Sequence, residues 1–120
     1  MKILLADDDR VLLHLLSAQF KARGDEVVLA QDAMQVLMMA IRTQPDAIVL
    51  DLQMPGGTGL AALKQLKSSV KTAAIPVVVL TASADPKLLG HAREAGAHAL
   101  LAKPADASAV LQALGVAPSK

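Results

Sequence analysis

The sequence predicts an α/β fold in which helices cover both faces of a parallel sheet. Short apolar runs rich in Val, Ile and Leu alternate along the chain with longer segments of helical period. Strands that are apolar on both faces are typical of parallel sheets, because helices bury both sides. With 120 residues, 53% of them hydrophobic, and no cysteine, the chain can form one domain whose core needs no disulfide.

Five apolar runs, each bounded by turn residues, are predicted to be the strands. They are Lys2–Ala6, Glu26–Ala30, Ala47–Leu50, Pro76–Thr81 and His98–Ala102. Because crossovers between parallel strands are right-handed, strict alternation of strand and helix predicts a doubly wound sheet.

The first helix is predicted to begin after Asp9, a residue type that caps helix N-termini, and to end at Gly24. Its buried stripe is predicted to comprise Leu12, Leu15, Leu16 and Phe20. Helical period and capping residues place the other helices at about 33–41, 58–68, 86–96 and 106–114. In the third helix, Lys64 and Lys67 are expected to face solvent.

Composition excludes several classes of function. A formal charge of +1, a single Phe and no Trp or Tyr give neither the basic surface nor the stacking platform of a nucleic-acid-binding protein. Stretches without charge, such as Thr72–Ala84, are shorter than the about 20 apolar residues of a membrane-spanning helix. We therefore expect no direct nucleic-acid binding, no membrane insertion and, by default, a cytoplasmic protein.

Polar and charged residues gather where the predicted strands end. Asp7, Asp8 and Asp9 follow the first strand, Asp51 the third, and Lys103 the fifth, while Thr81 ends the fourth. In an open α/β sheet, ligands bind beyond the carboxyl ends of the strands, so we expect these side chains to line one crevice.

Three carboxylates in one crevice require a cation. Two of them about 4 Å apart repel by about 4 kcal/mol at an effective dielectric of about 20. Oxygen ligands that leave room for water favour Mg²⁺, and a lysine facing that ion suggests a phosphate group between the two. The alternative for each residue taken singly is a helix cap, a strand end or a solvated turn.

Four motifs, in this order, resemble those of the receiver domain of two-component response regulators. They are Leu4-Leu5-Ala6-Asp7-Asp8-Asp9, the run from Val49 to Gly59 around Asp51-Leu52-Gln53-Met54-Pro55, Val79-Leu80-Thr81-Ala82, and Ala102-Lys103-Pro104. The resemblance covers residues 1–115 and leaves 116–120 as a loose tail. It implies a flavodoxin-like sheet of five strands in the order 2-1-3-4-5, with five helices on two faces.

The resemblance also implies a role for each matching residue. Asp51 would accept a phosphoryl group from a partner's phosphohistidine. Asp8, Asp51 and the backbone carbonyl of Gln53 would bind Mg²⁺, or Mn²⁺ as a substitute, with Asp7 acting through water. Thr81 and Lys103 would contact the phosphoryl group, Ala82 would leave room for the donor, and a cis peptide at Pro104 would aim the lysine.

The chain departs from the family at its switch residue. Receiver domains commonly have Tyr or Phe three residues before the lysine, and Leu100 stands there. Phosphorylation itself does not need that aromatic side chain, but the family's usual way of transmitting the phosphorylated state to a partner does.

The resulting expectation is a phosphoacceptor module of a two-component or phosphorelay system, which catalyses only its own phosphorylation and dephosphorylation. Its partners would be a sensor histidine kinase or a histidine phosphotransfer protein, and a downstream protein bound by the fourth helix, fifth strand and fifth helix. One alternative is a pseudo-receiver that binds partners without phosphorylation. Another is a phosphatase of the haloacid-dehalogenase type. Such an enzyme needs a second aspartate two residues after its nucleophile, and Gln53 occupies that position here.

Overall fold

The computed structural model describes residues 1–52 and 59–116. Strands and helices alternate along these residues as predicted, and each strand limit lies within one residue of its predicted position. The elements are β1 (Lys2–Ala6), α1 (Arg10–Ala22), β2 (Glu26–Ala30), α2 (Ala33–Thr43), β3 (Ala47–Asp51), α3 (Gly59–Ser68), β4 (Val77–Thr81), α4 (Pro86–Glu94), β5 (Ala99–Ala102) and α5 (Ala107–Ala113).

The five strands form one parallel sheet in the order β2-β1-β3-β4-β5, which confirms the predicted topology. Side chains of α2, α3 and α4 pack in a core cluster on one face, and those of α1 and α5 pack in a second cluster on the other. Along β1, Ile3 and Leu5 belong to the second cluster, whereas Leu4 and Ala6 belong to the first. Both faces are therefore dry, which explains why the strands are uniformly apolar.

Aspartates cap four of the helices. Asp9, Asp32, Asp85 and Asp106 each accept hydrogen bonds from backbone N–H groups in the first turns of α1, α2, α4 and α5. Gly24 follows the end of α1 with a φ of 99°, a left-handed conformation that glycine adopts without strain. The capping signals in the sequence therefore located these helices correctly.

The predicted inner face of α1 was wrong in one position. Leu13 is buried, together with Leu16, Ser17 and Phe20, whereas Leu15 is 51% exposed. The run from Val11 to Leu16 is apolar at every position except His14, so its pattern fits two helical registers. Contact with the sheet selects the register, and the pattern alone does not.

Lys67 does not project freely into solvent, contrary to the prediction. Its Nζ donates to the carbonyl oxygens of Ala73, at 3.1 Å, and Ile75, at 2.7 Å, in the turn between α3 and β4. Burial lowers the pKa of Lys67 below its usual value. Its neighbour Lys64 is exposed, as predicted.

Val116, with which the predicted tail begins, packs against the α1/α5 cluster and donates its N–H to Leu111. Residues 117–120 lie outside the described residues. None of the helices in residues 1–52 and 59–116 is long and apolar enough to cross a bilayer.

Candidate functional site

An acidic cluster lies at the carboxyl edge of the sheet. Asp7 and Asp8 directly follow β1, and Asp51 ends the neighbouring strand β3. One carboxylate oxygen from each of these three residues lies within 4.8 Å of those of the other two. Asp7 and Asp51 are each only 4% exposed, whereas Asp8 is exposed. The parallel register therefore brings together side chains that lie more than 40 positions apart in the sequence.

Lys103 supplies a positive charge to this cluster from the end of β5. Its Nζ lies 2.8 Å from Oδ2 of Asp7 and 3.4 Å from Oδ2 of Asp51. Burial alone would lower the pKa of Lys103, but the neighbouring carboxylates of Asp7 and Asp51 outweigh it and raise the pKa above its usual value. The lysine therefore remains an ammonium ion at neutral pH.

The carboxylate of Asp7 is held in one orientation. Its Oδ1 accepts a hydrogen bond of 2.9 Å from the backbone N–H of Asp9, the residue that caps α1. Its Oδ2 is buried and is paired with the ammonium group of Lys103 at 2.8 Å. Asp9 thus contributes its backbone to the site, a role that we did not predict.

Thr81 places its hydroxyl group on the strand next to Asp51. It is 2% exposed at the end of β4, and Asp51 pairs in register with the preceding residue, Leu80. Its Oγ1 accepts a hydrogen bond of 3.0 Å from the backbone N–H of Ser83, and its carbonyl oxygen accepts one of 3.0 Å from the backbone N–H of Lys103. Backbone hydrogen bonding therefore links the ends of β4 and β5 at the site.

The remaining predicted residues surround the cluster. The Lys103–Pro104 peptide bond is cis, as predicted, and Ala82 is exposed. Leu100 is half-buried and packs against the cluster formed by α2, α3 and α4. Gln53, with its predicted carbonyl ligand, lies outside the described residues.

Gly59 contacts the site through the backbone, which the sequence did not reveal. It is buried at the start of α3 and donates its N–H to the carbonyl oxygen of Leu52 at 2.8 Å. A Cβ atom at this position would overlap the carbonyl oxygen of Asp51.

The donor atoms suit a hard divalent cation. The cluster offers carboxylate oxygens alone, and Lys103 lies within ion-pair distance of two of its three carboxylates. Mg²⁺ prefers such oxygen ligands and retains several waters, which an open edge such as that of Asp8 permits. Asp7, Asp8 and Asp51 are thus the described residues that could hold the ion.

The family is identified by comparison with known proteins. A family model described as the response regulator receiver domain matches residues 3–115. The chain therefore belongs to this family, the signalling modules of two-component systems, as the sequence motifs indicated.

Individual relatives have very different lengths. The chain is 37% identical over 116 residues to the sensory/regulatory protein RpfC of Xanthomonas campestris, and the match covers 95% of the chain but 16% of that protein. It is 29% identical over 113 residues to the protein PilH of Pseudomonas aeruginosa, covering 94% of the chain and 93% of PilH.

Among solved structures, the receiver domain of sensor histidine kinase PA1611 from Pseudomonas aeruginosa is similar. It has a TM-score of 0.85 and 28% identity, with coverage of 94% of this chain and 93% of that one. That protein has a magnesium ion coordinated in its active-site cleft.

Proposed function

We propose that the protein is a phosphoacceptor module in which Asp51 receives a phosphoryl group from a partner's phosphohistidine. The observation that carries this proposal is the placement of Asp51. Its buried carboxylate lies with two further carboxylates within 4.8 Å and with Lys103 Nζ at 3.4 Å. A buried nucleophile next to metal-ligand oxygens and a fixed cation is the arrangement that phosphoryl transfer requires.

The proposed reaction is one displacement at phosphorus. A carboxylate oxygen of Asp51 forms a bond to phosphorus while the bond from phosphorus to the donor's imidazole nitrogen breaks. That nitrogen keeps the electron pair as the imidazole leaves, and the product is an aspartyl phosphate. Hydrolysis of the aspartyl phosphate by water resets the domain, which acts on no separate substrate.

Each surrounding residue has a proposed role. Asp8, Asp51 and the carbonyl of Gln53 bind Mg²⁺ or Mn²⁺, and Asp7 contributes through water. When bound, the ion supplies positive charge to the phosphoryl oxygens. Lys103 supplies positive charge from the side of β5, and the hydroxyl of Thr81 contacts the phosphoryl group.

The partners follow from this role. We propose that a sensor histidine kinase or a histidine phosphotransfer protein is the donor, and that α4, β5 and α5 bind a downstream protein. We place this activity in the cytoplasm, without direct binding to nucleic acid or membrane, and assign it to residues 1–115.

A second candidate is a pseudo-receiver that binds partners without phosphorylation. Leu100 favours it, because this half-buried leucine stands where the family commonly has its switch aromatic. The complete set of Asp8, Asp51, Thr81 and Lys103 favours the phosphoacceptor.

Intact mass after incubation with acetyl phosphate distinguishes the two candidates. With Mg²⁺ we expect an increase equal to one phosphoryl group, and with excess EDTA we expect none. Because a short-lived adduct would escape detection, beryllofluoride binding is measured by calorimetry in parallel. Absence of both the adduct and beryllofluoride binding, in protein that binds Mg²⁺, would establish the pseudo-receiver.

We further propose that phosphorylation is transmitted from Thr81 to α4 through consecutive hydrogen bonds. Thr81 Oγ1 accepts from the N–H of Ser83, Ser83 Oγ accepts from the N–H of Asp85 at 3.1 Å, and Asp85 Oδ1 accepts from the N–H of Lys87 at 3.0 Å. Within α4 only Ala92 is fully buried, with Leu88 packed against the same cluster, so fewer buried residues hold this helix in place than hold α2 or α3.

Replacing Ser83 with Ala is therefore expected to uncouple α4 from the site. In the wild type, saturating Mg²⁺ and beryllofluoride should shift backbone amide NMR signals both around Asp51 and along α4. In Ser83→Ala the α4 shifts should shrink, because a hydrogen bond of about 1 kcal/mol changes an equilibrium about fivefold. Ser108→Ala, at an exposed position of α5, is the matched control. Undiminished α4 shifts in Ser83→Ala would refute this route.

A further inference from the structure

We propose that Gly59 is a positioning residue for Asp51: its missing side chain lets the start of α3 close against the backbone of the phosphoacceptor. This inference rests on the proposed function and extends it to a residue that contacts neither metal nor phosphoryl group. Gly59 would affect the reaction only by fixing the position of Asp51.

The contact is between backbone atoms. The N–H of Gly59 donates to the carbonyl oxygen of Leu52 at 2.8 Å. A Cβ at Gly59 would overlap the carbonyl oxygen of Asp51 and would lie 2.5 Å from Cα and 2.8 Å from the carbonyl carbon of Leu52. A side-chain tip could rotate away from such an overlap, but backbone atoms cannot, so either α3 or the end of β3 must move.

Movement of the end of β3 would displace the carboxylate of Asp51. β3 is a central strand paired with β1 and β4, and its residues are all buried. Asp51 is its last residue and Leu52, which follows, is 2% exposed. A Cβ at Gly59 would therefore press on the backbone of the buried residues Asp51 and Leu52, and so on the residue that bears the phosphoacceptor carboxylate. A misplacement of about 1 Å between reacting groups can slow a reaction about 100-fold.

Another helical glycine provides a matched comparison. Gly90 lies within α4, and a Cβ there would meet no atom within 4 Å. Gly90→Ala makes the same chemical change in a helix without an overlap, and it should raise the melting temperature because alanine favours helix over glycine. Leu66→Ala is the second comparison, since this fully buried residue lies two turns further along α3 and its loss opens a cavity.

The test compares Gly59→Ala, Gly90→Ala and Leu66→Ala at a temperature where circular dichroism shows each to be folded. We expect the rate at saturating acetyl phosphate to fall about 100-fold in Gly59→Ala, and its affinity for Mg²⁺ in calorimetry to weaken. Leu66→Ala should have a lower melting temperature with an unchanged rate and Mg²⁺ affinity. If Gly59→Ala has a lower melting temperature but an unchanged rate and Mg²⁺ affinity, as expected for Leu66→Ala, then Gly59 has a merely structural role and the proposal is wrong.

Two further measurements cover the remaining outcomes. If Gly59→Ala does not fold, the backbone amide NMR signal of Gly59 in the wild type tests the proposal instead. That signal should shift on addition of Mg²⁺ and beryllofluoride, whereas the amide signal of the exposed residue Ser108 should not. An unmoved Gly59 signal overturns the proposal. If the wild type neither forms a phosphoryl adduct nor binds beryllofluoride, the proposed function fails. Mg²⁺ affinity then still tests Gly59, because the ion needs the same placement of Asp51.

Discussion

Replacing Asp51 with Asn is expected to abolish the phosphoryl adduct completely while leaving the fold intact. An amide has nearly the same shape as a carboxylate, but its oxygen is a poor nucleophile and it contributes no negative charge to a metal site. Intact mass after treatment with Mg²⁺ and acetyl phosphate should therefore equal that of the untreated variant, and calorimetry should show weaker Mg²⁺ binding.

Asp51→Asn should also stabilise the metal-free protein, because it removes repulsion within the acidic cluster. Asp51 lies within 4.8 Å of two other carboxylates, and each such pair repels by about 3–4 kcal/mol at an effective dielectric of about 20. The contact with Lys103 offsets part of this repulsion. Without Mg²⁺ we therefore expect Asp51→Asn to melt at a higher temperature than the wild type, and this difference should shrink when Mg²⁺ is added.

Asp32→Asn provides the control for Asp51→Asn. Asp32 caps α2 through the N–H of Gln35, and asparagine caps helices about as well as aspartate. This variant should retain the adduct, the Mg²⁺ affinity and the melting temperature. If Asp51→Asn still acquires a phosphoryl group, another residue is the acceptor and the proposed role of Asp51 is wrong.

Replacing Lys103 with Met is expected to slow phosphorylation and to tighten Mg²⁺ binding. The rate with acetyl phosphate should fall about 100- to 1,000-fold, the usual cost of removing a positioned electrostatic group from a transition state. Mg²⁺ should bind more tightly because Lys103 Nζ, at 2.8 Å from Asp7 and 3.4 Å from Asp51, competes for the same carboxylates.

We also expect Lys103→Met to change the melting temperature of the protein. The raised pKa of Lys103 means that the folded protein favours its charged form. Leaving a buried carboxylate without its partner costs about 3–5 kcal/mol, so Lys103→Met should have a lower melting temperature without Mg²⁺ and recover when the ion is added. Lys64→Met, on the exposed side of α3, should change none of these quantities. Weaker Mg²⁺ binding by Lys103→Met would contradict the proposed competition.

The main features of the site could be predicted from the sequence for a physical reason. Parallel strands must end at one edge of the sheet, so Asp7, Asp51, Thr81 and Lys103 could be assigned to one crevice from their positions after apolar runs. The structure places the carboxylates within 4.8 Å of one another and Lys103 against two of them.

Contacts that involve the backbone could not be predicted in this way. The N–H of Asp9 that holds Asp7, the successive hydrogen bonds from Thr81 to α4, and the approach of Gly59 to Asp51 all depend on where loops and helix ends lie. Residue type carries little information about them, since every residue except proline has the same backbone donor.

The sequence by itself determined the alternation of strands and helices, the capped helix ends and the identity of the charged groups at the strand ends. These features follow from local periodicity and from the rule that both faces of a parallel sheet are buried. Only the tertiary structure decided that α1 buries Leu13 rather than Leu15 and that Lys67 binds carbonyl oxygens instead of solvent. Those choices depend on contacts between distant segments, whose distances exist only once the sheet and its helices have packed together.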